Sequence, residues 1–262
     1  MNTAATLTIE GQVATITLNR PKAMNSYNLD MAEALLAHTE ALSFNDEVST
    51  VLLRGAGNVF MAGGGIEIFC KKLASMPKGI RSIVRTLANT VNNMRQSKQT
   101  YLASVHGAVA GAGLSLMLAC DLVLAEENTV FTTAYNRLGT SSDGGLSYFL
   151  PKLVGDKKAM ELLLLSDRIS AQDCVRLGMI NKACTSEEFE ADIQKWLSKL
   201  TRLPATSSSN LKQLIYQSHH LSFESQCELE ANSFIESVQT KDFAEGVQAF
   251  MEKRAAKFGG NV

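Results

Sequence analysis

Hydrophobic and polar positions along the chain follow two different periods. Residues 5–19 alternate between apolar and polar on either side of Gly11, which predicts a β-hairpin with its turn at that glycine. Residues 78–96 place apolar side chains at helical spacing, which predicts an amphipathic helix. Because strand-like and helical segments alternate, the pattern predicts an α/β fold with parallel strand pairing. Further strands are predicted at 49–55, 101–105, 121–125 and 129–134, and a helix opened by small residues within 106–121.

From about residue 157 onwards the pattern becomes mostly helical. Pro204 and the serines at 207–209 mark a break in it. We therefore predict a core domain over residues 1–195 and a helical region over residues 196–262. A helical region of this kind can pair identical subunits about a symmetry axis.

Composition narrows the class of protein. The chain has 262 residues, of which 45% are hydrophobic, enough for a sizeable core. A net charge of -1 gives no support for a nucleic-acid partner. No apolar run approaches the ~18 residues that span a bilayer, so no membrane partner is expected. Five scattered cysteines without a C-x-x-C pair, together with an N-terminal segment unlike a signal peptide, predict a reduced cytoplasmic protein.

Several familiar chemistries lack their sequence motifs. The chain has no G-x-x-x-x-G-K-[ST] loop and no G-x-G-x-x-G after a strand, which disfavours ATP and dinucleotide cofactors. It has no G-x-S-x-G nucleophile elbow. None of its four histidines has metal-ligand spacing, so no metal site is expected.

Two glycine-rich turns and one acid remain as candidate chemistry. The segments 62–67 and 107–113 each follow a strand-like stretch, and unpaired backbone N–H groups there are suited to an oxyanion hole. Alternatively, the glycines only permit tight turns and close packing. Asp143 is the only acid in residues 137–155. Its residue type and neighbours favour a turn or helix N-cap, with a role in proton transfer as the alternative. Near the start of the chain, Ser26 or Asn28 is expected to cap the first helix.

Taken together, these stretches resemble the crotonase superfamily, the enoyl-CoA hydratase/isomerase family. The resemblance covers nearly the whole chain and implies a spiral of ββα units with a C-terminal helical part that builds homotrimers, often paired into hexamers. It implies an acyl-CoA thioester substrate and no separate cofactor, since CoA is part of the substrate. The segments that carry it, in chain order, are 16–26, 59–69, 104–131, 137–155, 168–180 and 250–258.

The resemblance also implies roles for individual residues. Ala62 and Ala112 would donate the two backbone N–H groups that stabilise a thioester enolate. The CoA moiety would be held by Lys22, Ala23, Ala62 and Gly64, and by Phe250 and Lys253 of a neighbouring subunit. Family members often have Asp where this chain has Gly65, and Glu67 is a candidate for a second acid.

The same comparison of motifs bears on the reaction. Family hydratases use two glutamates, which would fall here at Ser115 and Tyr135. Neither can act as a carboxylate, so these two residues, with Ile66, are expected to shape the acyl pocket. Asp143 matches the acid of family isomerases, and one base is enough for a 1,3-proton shift. An enoyl-CoA isomerase with Asp143 as base is therefore favoured.

Other members of the superfamily leave alternatives open. A hydratase of fatty-acid or aromatic-acid degradation acting through Asp143, or an inactive CoA-binding module, would fit the same fold. Dihydroxynaphthoyl-CoA synthases share the S-x-D-G-G pattern, but their neighbouring motif differs. Chlorobenzoyl-CoA dehalogenases pair their aspartate with a histidine on the preceding helix, and residues 78–96 contain none.

Overall fold

The first two strands form the predicted hairpin at the edge of a six-stranded sheet. In the computed structural model, which describes residues 3–65 and 76–259, β1 (Ala5–Glu10) pairs antiparallel with β2 (Val13–Leu18). Gly11 lies in the turn at φ +58°, in the left-handed region that glycine adopts readily. The predicted hairpin is confirmed.

The rest of this sheet is parallel and runs in the order β1-β2-β3-β4-β6-β9. Parallel pairing places the carboxyl ends of neighbouring strands at one edge, where the loops of an open α/β sheet meet. The other four strands are β3 (Thr50–Gly55), β4 (Thr100–Val105), β6 (Leu122–Glu126) and β9 (Lys182–Cys184).

A second, three-stranded sheet follows the order β5-β7-β8. It contains β5 (Ala108–Ala110), β7 (Val130–Thr132) and β8 (Ile169–Ser170). Strand β5 lies inside the glycine-rich segment and was not predicted, because three residues are too few to show an alternating pattern.

Ten α-helices occur within the described ranges. Asn28 caps the first helix, because its side-chain oxygen accepts from the Met31 N–H at 3.0 Å. The helices are α1 (Leu29–Ser43), α2 (Met76–Gln96), α3 (Ala112–Ala119), α4 (Leu146–Val154), α5 (Asp156–Leu165), α6 (Ala171–Arg176), α7 (Phe189–Leu200), α8 (Ala205–Gln217), α9 (Phe223–Val238) and α10 (Lys241–Met251). Not one of them is both long enough and apolar enough to cross a bilayer.

The central strands are buried on both faces. On β3, Val51 and Leu53 belong to the main core, whereas Leu52 faces a second cluster. That cluster includes Ile193 and Leu197 of α7. Burial on both faces explains why the sequence of β3 is a continuous apolar run.

The position of α7 also bears on the predicted domain boundary. A boundary between residues 195 and 196 falls inside α7, which packs on the sheet through Leu197. The next helix, α8, begins directly after Pro204. Pro204 is therefore the better place to begin the C-terminal helical region.

A buried ion pair attaches α8 to the sheet. Lys212 is 7% exposed, and its Nζ donates to the carbonyls of Met94 (2.9 Å) and Gln99 (2.8 Å). The same Nζ lies 3.1 Å from Oδ2 of Asp121. These contacts satisfy the ammonium group after its removal from water.

Candidate active site

Two loops at the carboxyl edge of the parallel sheet are joined by backbone hydrogen bonds. The loop after β3 donates from Phe60 N–H to the His106 carbonyl (2.9 Å) and from Met61 N–H to the Ala108 carbonyl (3.1 Å). In return, Ala110 N–H donates to the Met61 carbonyl (2.9 Å). The two predicted glycine-rich turns therefore form one structural unit.

Glycine allows the two loops to approach each other closely. Gly63 has φ +102°, and a Cβ atom at this position would lie 3.3 Å from the Ala110 carbonyl oxygen. At Gly113 a Cβ atom would lie 2.7 Å from the Met61 carbonyl oxygen, closer than real Cβ contacts come. A larger residue at Gly113 would separate the loops.

The N-terminus of α3 presents an amide without an acceptor. Leu114 and Ser115 both donate to the Gly111 carbonyl, at 2.9 and 3.1 Å. Ala112 is the first helical residue, and no atom of the described chain accepts its N–H. Such an N–H group, at the positive end of the helix dipole, is suited to binding a negatively charged oxygen.

In the loop after β3, the amides differ in availability. The N–H of Ala62, which was predicted to be the second donor, donates to the Met24 carbonyl at 3.1 Å. This contact argues against Ala62 as a donor to substrate. The N–H of Gly64 has no acceptor among residues 3–65 and 76–259, and Gly64 is exposed.

The segment before α1 supports this loop from behind. Tyr27 N–H donates to the Gly63 carbonyl (2.8 Å), and Gly65 N–H donates to the Tyr27 carbonyl (2.9 Å). The buried Asn25 side chain donates to the Val59 carbonyl at 2.8 Å. These long-range contacts fix the orientation of the Gly64 amide.

Two residues predicted to bind CoA lie in the same segment. Lys22 and Ala23 form a short 3₁₀-helix, Pro21–Ala23, immediately before Met24. Lys22 is exposed, and Ala23 is half-buried. The Met24–Ala62 hydrogen bond therefore places both residues next to the glycine loop.

Asp143 brings a carboxylate to these loops, and two hydroxyl groups lie beside the residue. The Tyr135 hydroxyl donates to Oδ1 of Asp143 at 2.5 Å. Ser115 Oγ donates to the Asp143 backbone carbonyl at 2.9 Å and lies 3.1 Å from the Tyr135 hydroxyl. Ser115 is fully buried, whereas Asp143 and Tyr135 are half-buried. Within the described ranges, no other residue donates a hydrogen bond to Oδ2 of Asp143.

This cluster lies against the glycine loops. A Cβ atom at Gly111 would be 3.5 Å from the Cα of Gly63 and 3.9 Å from Cζ of Tyr135. A Cβ atom at Gly144 would be 2.9 Å from the Cβ of Ser115. The unpaired amides and the carboxylate are therefore parts of one site.

The environment changes the ionisation of these groups. Burial raises the pKa of the Asp143 carboxyl, and the hydrogen bond from Tyr135 acts in the opposite direction. Burial, and then the charge of Asp143, raise the pKa of Tyr135 far above its ordinary value. Tyr135 is therefore a neutral donor, and Asp143 has a pKa closer to neutrality than an exposed aspartate.

The Asp143 carboxylate does not cap a helix, although the sequence favoured a turn or N-cap role for this residue. Helix α4 has Gly145 at its N-cap position, with no side-chain capping bond. Asp143 contributes only its backbone carbonyl, which accepts from Leu146 N–H at 3.1 Å. The backbone forms a turn, and the carboxylate is left for Tyr135.

Four predicted positions lie apart from this cluster or outside the described residues. Phe250 is 83% exposed and lines an apolar groove of about 570 Å³ between α8, α9 and α10. Lys253 follows α10 and is exposed. Ile66, and with it Glu67, lies outside the described residues.

Sequence reasoning placed Ser115 and Tyr135 in the acyl pocket but did not predict that both would contact Asp143. One available signal was the position of Ser115 in an otherwise apolar helix, which implies a buried hydroxyl in need of a partner. The involvement of Met24 and Asn25 had no such signal, because their contacts are long-range.

Comparisons with known proteins agree on one family. A sequence model described as enoyl-CoA hydratase/isomerase matches residues 8–261. The chain is 29% identical to a trans-2-decenoyl-[acyl-carrier-protein] isomerase of Streptococcus mutans, over 96% of both chains. It is 30% identical to the 1,2-epoxyphenylacetyl-CoA isomerase of Escherichia coli, over 96% of this chain and 97% of that one. An enoyl-CoA hydratase crystal structure from Polaromonas sp. JS666 superposes with a TM-score of 0.92 at 30% identity, covering 97% of this chain and 99% of that one.

Proposed function

Because this chain belongs to the enoyl-CoA hydratase/isomerase family and has the crotonase fold, we propose that it is an enoyl-CoA isomerase that moves a double bond from the 3- to the 2-position, or performs a related isomerisation. The observation that carries the proposal is the Asp143 carboxylate, which accepts a hydrogen bond from the Tyr135 hydroxyl and lies beside two amides that are unpaired in the described chain, while Ser115 holds the Asp143 backbone carbonyl. The substrate is an acyl-CoA thioester.

The two amides supply the electrostatic part of catalysis. We assign the N–H groups of Ala112 and Gly64 to the thioester oxygen, with Gly64 in place of Ala62 because the Ala62 N–H already donates to Met24. An enolate oxygen would carry developing negative charge at this point. A donor of this kind contributes about 2.7–4 kcal/mol to the stabilisation of an oxyanion.

Asp143 supplies the proton transfer. Its Oδ2 atom removes a proton from C2 of a 3-enoyl thioester, and the electron pair moves into the thioester enolate. The same carboxyl then returns a proton at C4, and the double bond lies between C2 and C3. The raised pKa of Asp143 brings this base closer to the pH at which general-base catalysis is efficient.

Ordinary hydration is less compatible with the site. Ser115 and Tyr135 occupy the positions where the resemblance implies two glutamates, and their hydroxyl groups are engaged with each other and with Asp143. A hydratase would need a base for water and an acid for the α-carbon. Hydration is the second candidate function, because similar proteins include enoyl-CoA hydratases by name.

The remaining assignments concern CoA and assembly. Lys22 and Ala23 adjoin the glycine loop and are assigned to the CoA moiety with Gly64. Phe250 and Lys253 are assigned to the same moiety of a neighbouring subunit, in the homotrimer or dimer of trimers that the family resemblance implies. The exposed apolar side chains of α8–α10 support such an assembly.

A direct test uses purified protein with a 3-enoyl-CoA and, separately, a 2-enoyl-CoA. Conjugation of the 3-enoyl thioester increases ultraviolet absorbance, and hydration of the 2-enoyl thioester decreases it. We expect isomerisation by the wild type and its loss in Asp143→Asn. Asp156→Asn makes the same chemical change at an exposed acid that begins α5 and should retain activity.

The two substrates separate the candidate functions. Hydration of the 2-enoyl substrate without isomerisation of the 3-enoyl substrate would contradict the proposal and favour the hydratase. Binding of CoA without turnover of either substrate would instead favour a binding module. Full activity of Asp143→Asn would remove Asp143 from the mechanism.

A further inference from the structure

The hydrogen bond from the Tyr135 hydroxyl to the Asp143 carboxylate is shorter than the bond that Ser115 makes to the Asp143 carbonyl. From this contact we infer that Tyr135 is a positioning residue, which fixes the Asp143 carboxylate through Oδ1 and leaves Oδ2 as the atom that exchanges protons with substrate. The inference rests on the proposed function, in which Asp143 is the base. It goes beyond the pocket-shaping role predicted from sequence.

Two hydrogen bonds and one close oxygen–oxygen contact join Tyr135, Asp143 and Ser115. The Tyr135 hydroxyl has one proton, and the 2.5 Å distance to Oδ1 of Asp143 assigns it to that oxygen. Ser115 Oγ donates its own proton to the Asp143 backbone carbonyl at 2.9 Å and lies 3.1 Å from the Tyr135 hydroxyl, so it holds the Asp143 backbone and packs against Tyr135. Ser115 itself is held within the buried helix α3. The carboxylate therefore has a defined orientation.

The backbone next to Tyr135 has an unusual conformation that fixes the direction of its side chain. The preceding residue, Ala134, has φ +60°, a left-handed conformation that a residue with a Cβ atom seldom adopts. Tyr135 N–H donates to the Thr133 carbonyl (2.8 Å), and its own carbonyl accepts from Leu138 (3.0 Å) and Thr140 (3.2 Å). Strain next to a site residue is a frequent feature of active sites.

The same contact sets the proton affinity of Asp143. Among the described residues, the titratable groups that interact with it are Tyr135 and Tyr27, both neutral phenols. The other neighbours at Asp143 and Gly144 are Ser115 of α3 and Leu87 of α2. Burial favours the neutral form of Asp143 and raises its pKa. The hydrogen bond from Tyr135 opposes this effect, because it stabilises the charged form.

The direction of the expected change follows from this balance. Tyr135→Phe removes the donor while the ring stays, so the pKa of Asp143 should rise by about one pH unit or more. Asp143 acts as a base only when deprotonated. The acid limb of kcat/KM should consequently move to higher pH by the same amount.

Tyr27→Phe is a matched control. Tyr27 is also a buried phenol close enough for the charge of Asp143 to affect its pKa, but its hydroxyl has no hydrogen-bond partner in the described chain. Removing that hydroxyl should leave the pKa of Asp143 within about 0.3 pH unit of the wild-type value. Ser115→Ala should give a smaller rise than Tyr135→Phe, because Tyr135 keeps its bond to Oδ1.

The test titrates Asp143 by carbon NMR of aspartate-labelled protein, with the signal assigned from Asp143→Asn. The kcat/KM profile on a 3-enoyl-CoA is measured on the same variants, and kcat should fall at least tenfold in Tyr135→Phe while KM changes little. A pKa of Asp143 in Tyr135→Phe that matches the wild type would overturn the inference. An equal rise of the Asp143 pKa in Tyr27→Phe would also overturn the inference, because the loss of any nearby hydroxyl group would then have the same effect.

The NMR titration needs no turnover, so the two proposals fail separately. If Tyr135→Phe raises the pKa of Asp143 but the wild type isomerises no 3-enoyl-CoA, the positioning role stands and the proposed reaction fails. If the wild type isomerises and neither pKa nor kcat responds to Tyr135→Phe, the reaction stands and Tyr135 only fills the pocket.

Discussion

Replacing Ala112 with proline removes one predicted oxyanion donor without removing a side chain from the site. Proline is tolerated at the first residue of a helix, because that N–H has no partner within the helix. Ala112 is the first residue of α3, and its N–H has no acceptor in the parts of the chain that the structure describes. Gly111 precedes it with φ +51° and ψ -120°, and glycine relieves the steric restriction before proline.

The expected loss of activity is larger than the expected loss of stability. One missing oxyanion donor lowers kcat about 10²–10³-fold, or about 2.7–4 kcal/mol. No backbone hydrogen bond is lost in the free protein. Ala112 is 4% exposed, so the larger ring costs about 1–3 kcal/mol in packing. Such a protein remains folded, and the catalytic effect can be measured on it.

The assay measures kcat and KM for isomerisation of a 3-enoyl-CoA, with unfolding by urea followed in parallel. Ala205→Pro makes the same substitution at the first residue of α8, where Ala205 is exposed and follows Pro204. That control should keep the wild-type kcat. A folded Ala112→Pro variant with wild-type kcat would refute the assignment of its N–H to the oxyanion.

Two further predictions concern the C-terminal helices. Lys212→Ala should destabilise the fold by about 3–5 kcal/mol in urea unfolding, because it removes the cation paired with Asp121 and the donor to the Met94 and Gln99 carbonyls. A change below about 1 kcal/mol would show that the pair does not hold α8. Analytical ultracentrifugation of the wild type should give a mass of three or six times 28.4 kDa. Phe234→Asp, in the exposed apolar face of α9, should lower this mass, whereas Phe44→Asp, at the end of α1, should not; a wild-type monomer would contradict the assembly.

Elements with a local signal were predictable from the sequence. The hairpin at Gly11 depends on neighbouring residues only, as does the Asn28 cap. The helix opened by small residues begins at Ala112, within the predicted segment. Each of these features is encoded within a few positions of the chain, and propensity and periodicity are sufficient to find it.

The choice between Ala62 and Gly64 was beyond sequence reasoning. It depends on the Met24 carbonyl, which accepts from Ala62, and on the pairing of Tyr27 with Gly63 and Gly65. In a regular extended segment the amides of residues two apart point the same way, so the pattern alone does not separate Ala62 from Gly64. Gly63, between them, departs from that geometry with φ +102°. Only the tertiary contacts of the segment before α1 fix that direction.

Two positions at which family hydratases have glutamates carry hydroxyl groups in this chain, and this difference gives the site its chemical character. Two acids beside Asp143 would repel its charge and raise its pKa further, and one of them would hold a proton. Ser115 and Tyr135 add no charge; Tyr135 orients the carboxylate, and Ser115 holds the backbone carbonyl of Asp143. An oriented base next to two amide donors suits a reaction that removes and returns one proton, because no second acid is required. The differences from the hydratase pattern are therefore consistent with a changed reaction. The pKa of Asp143 is the decisive quantity to measure, because it shows whether this carboxylate can act as the base.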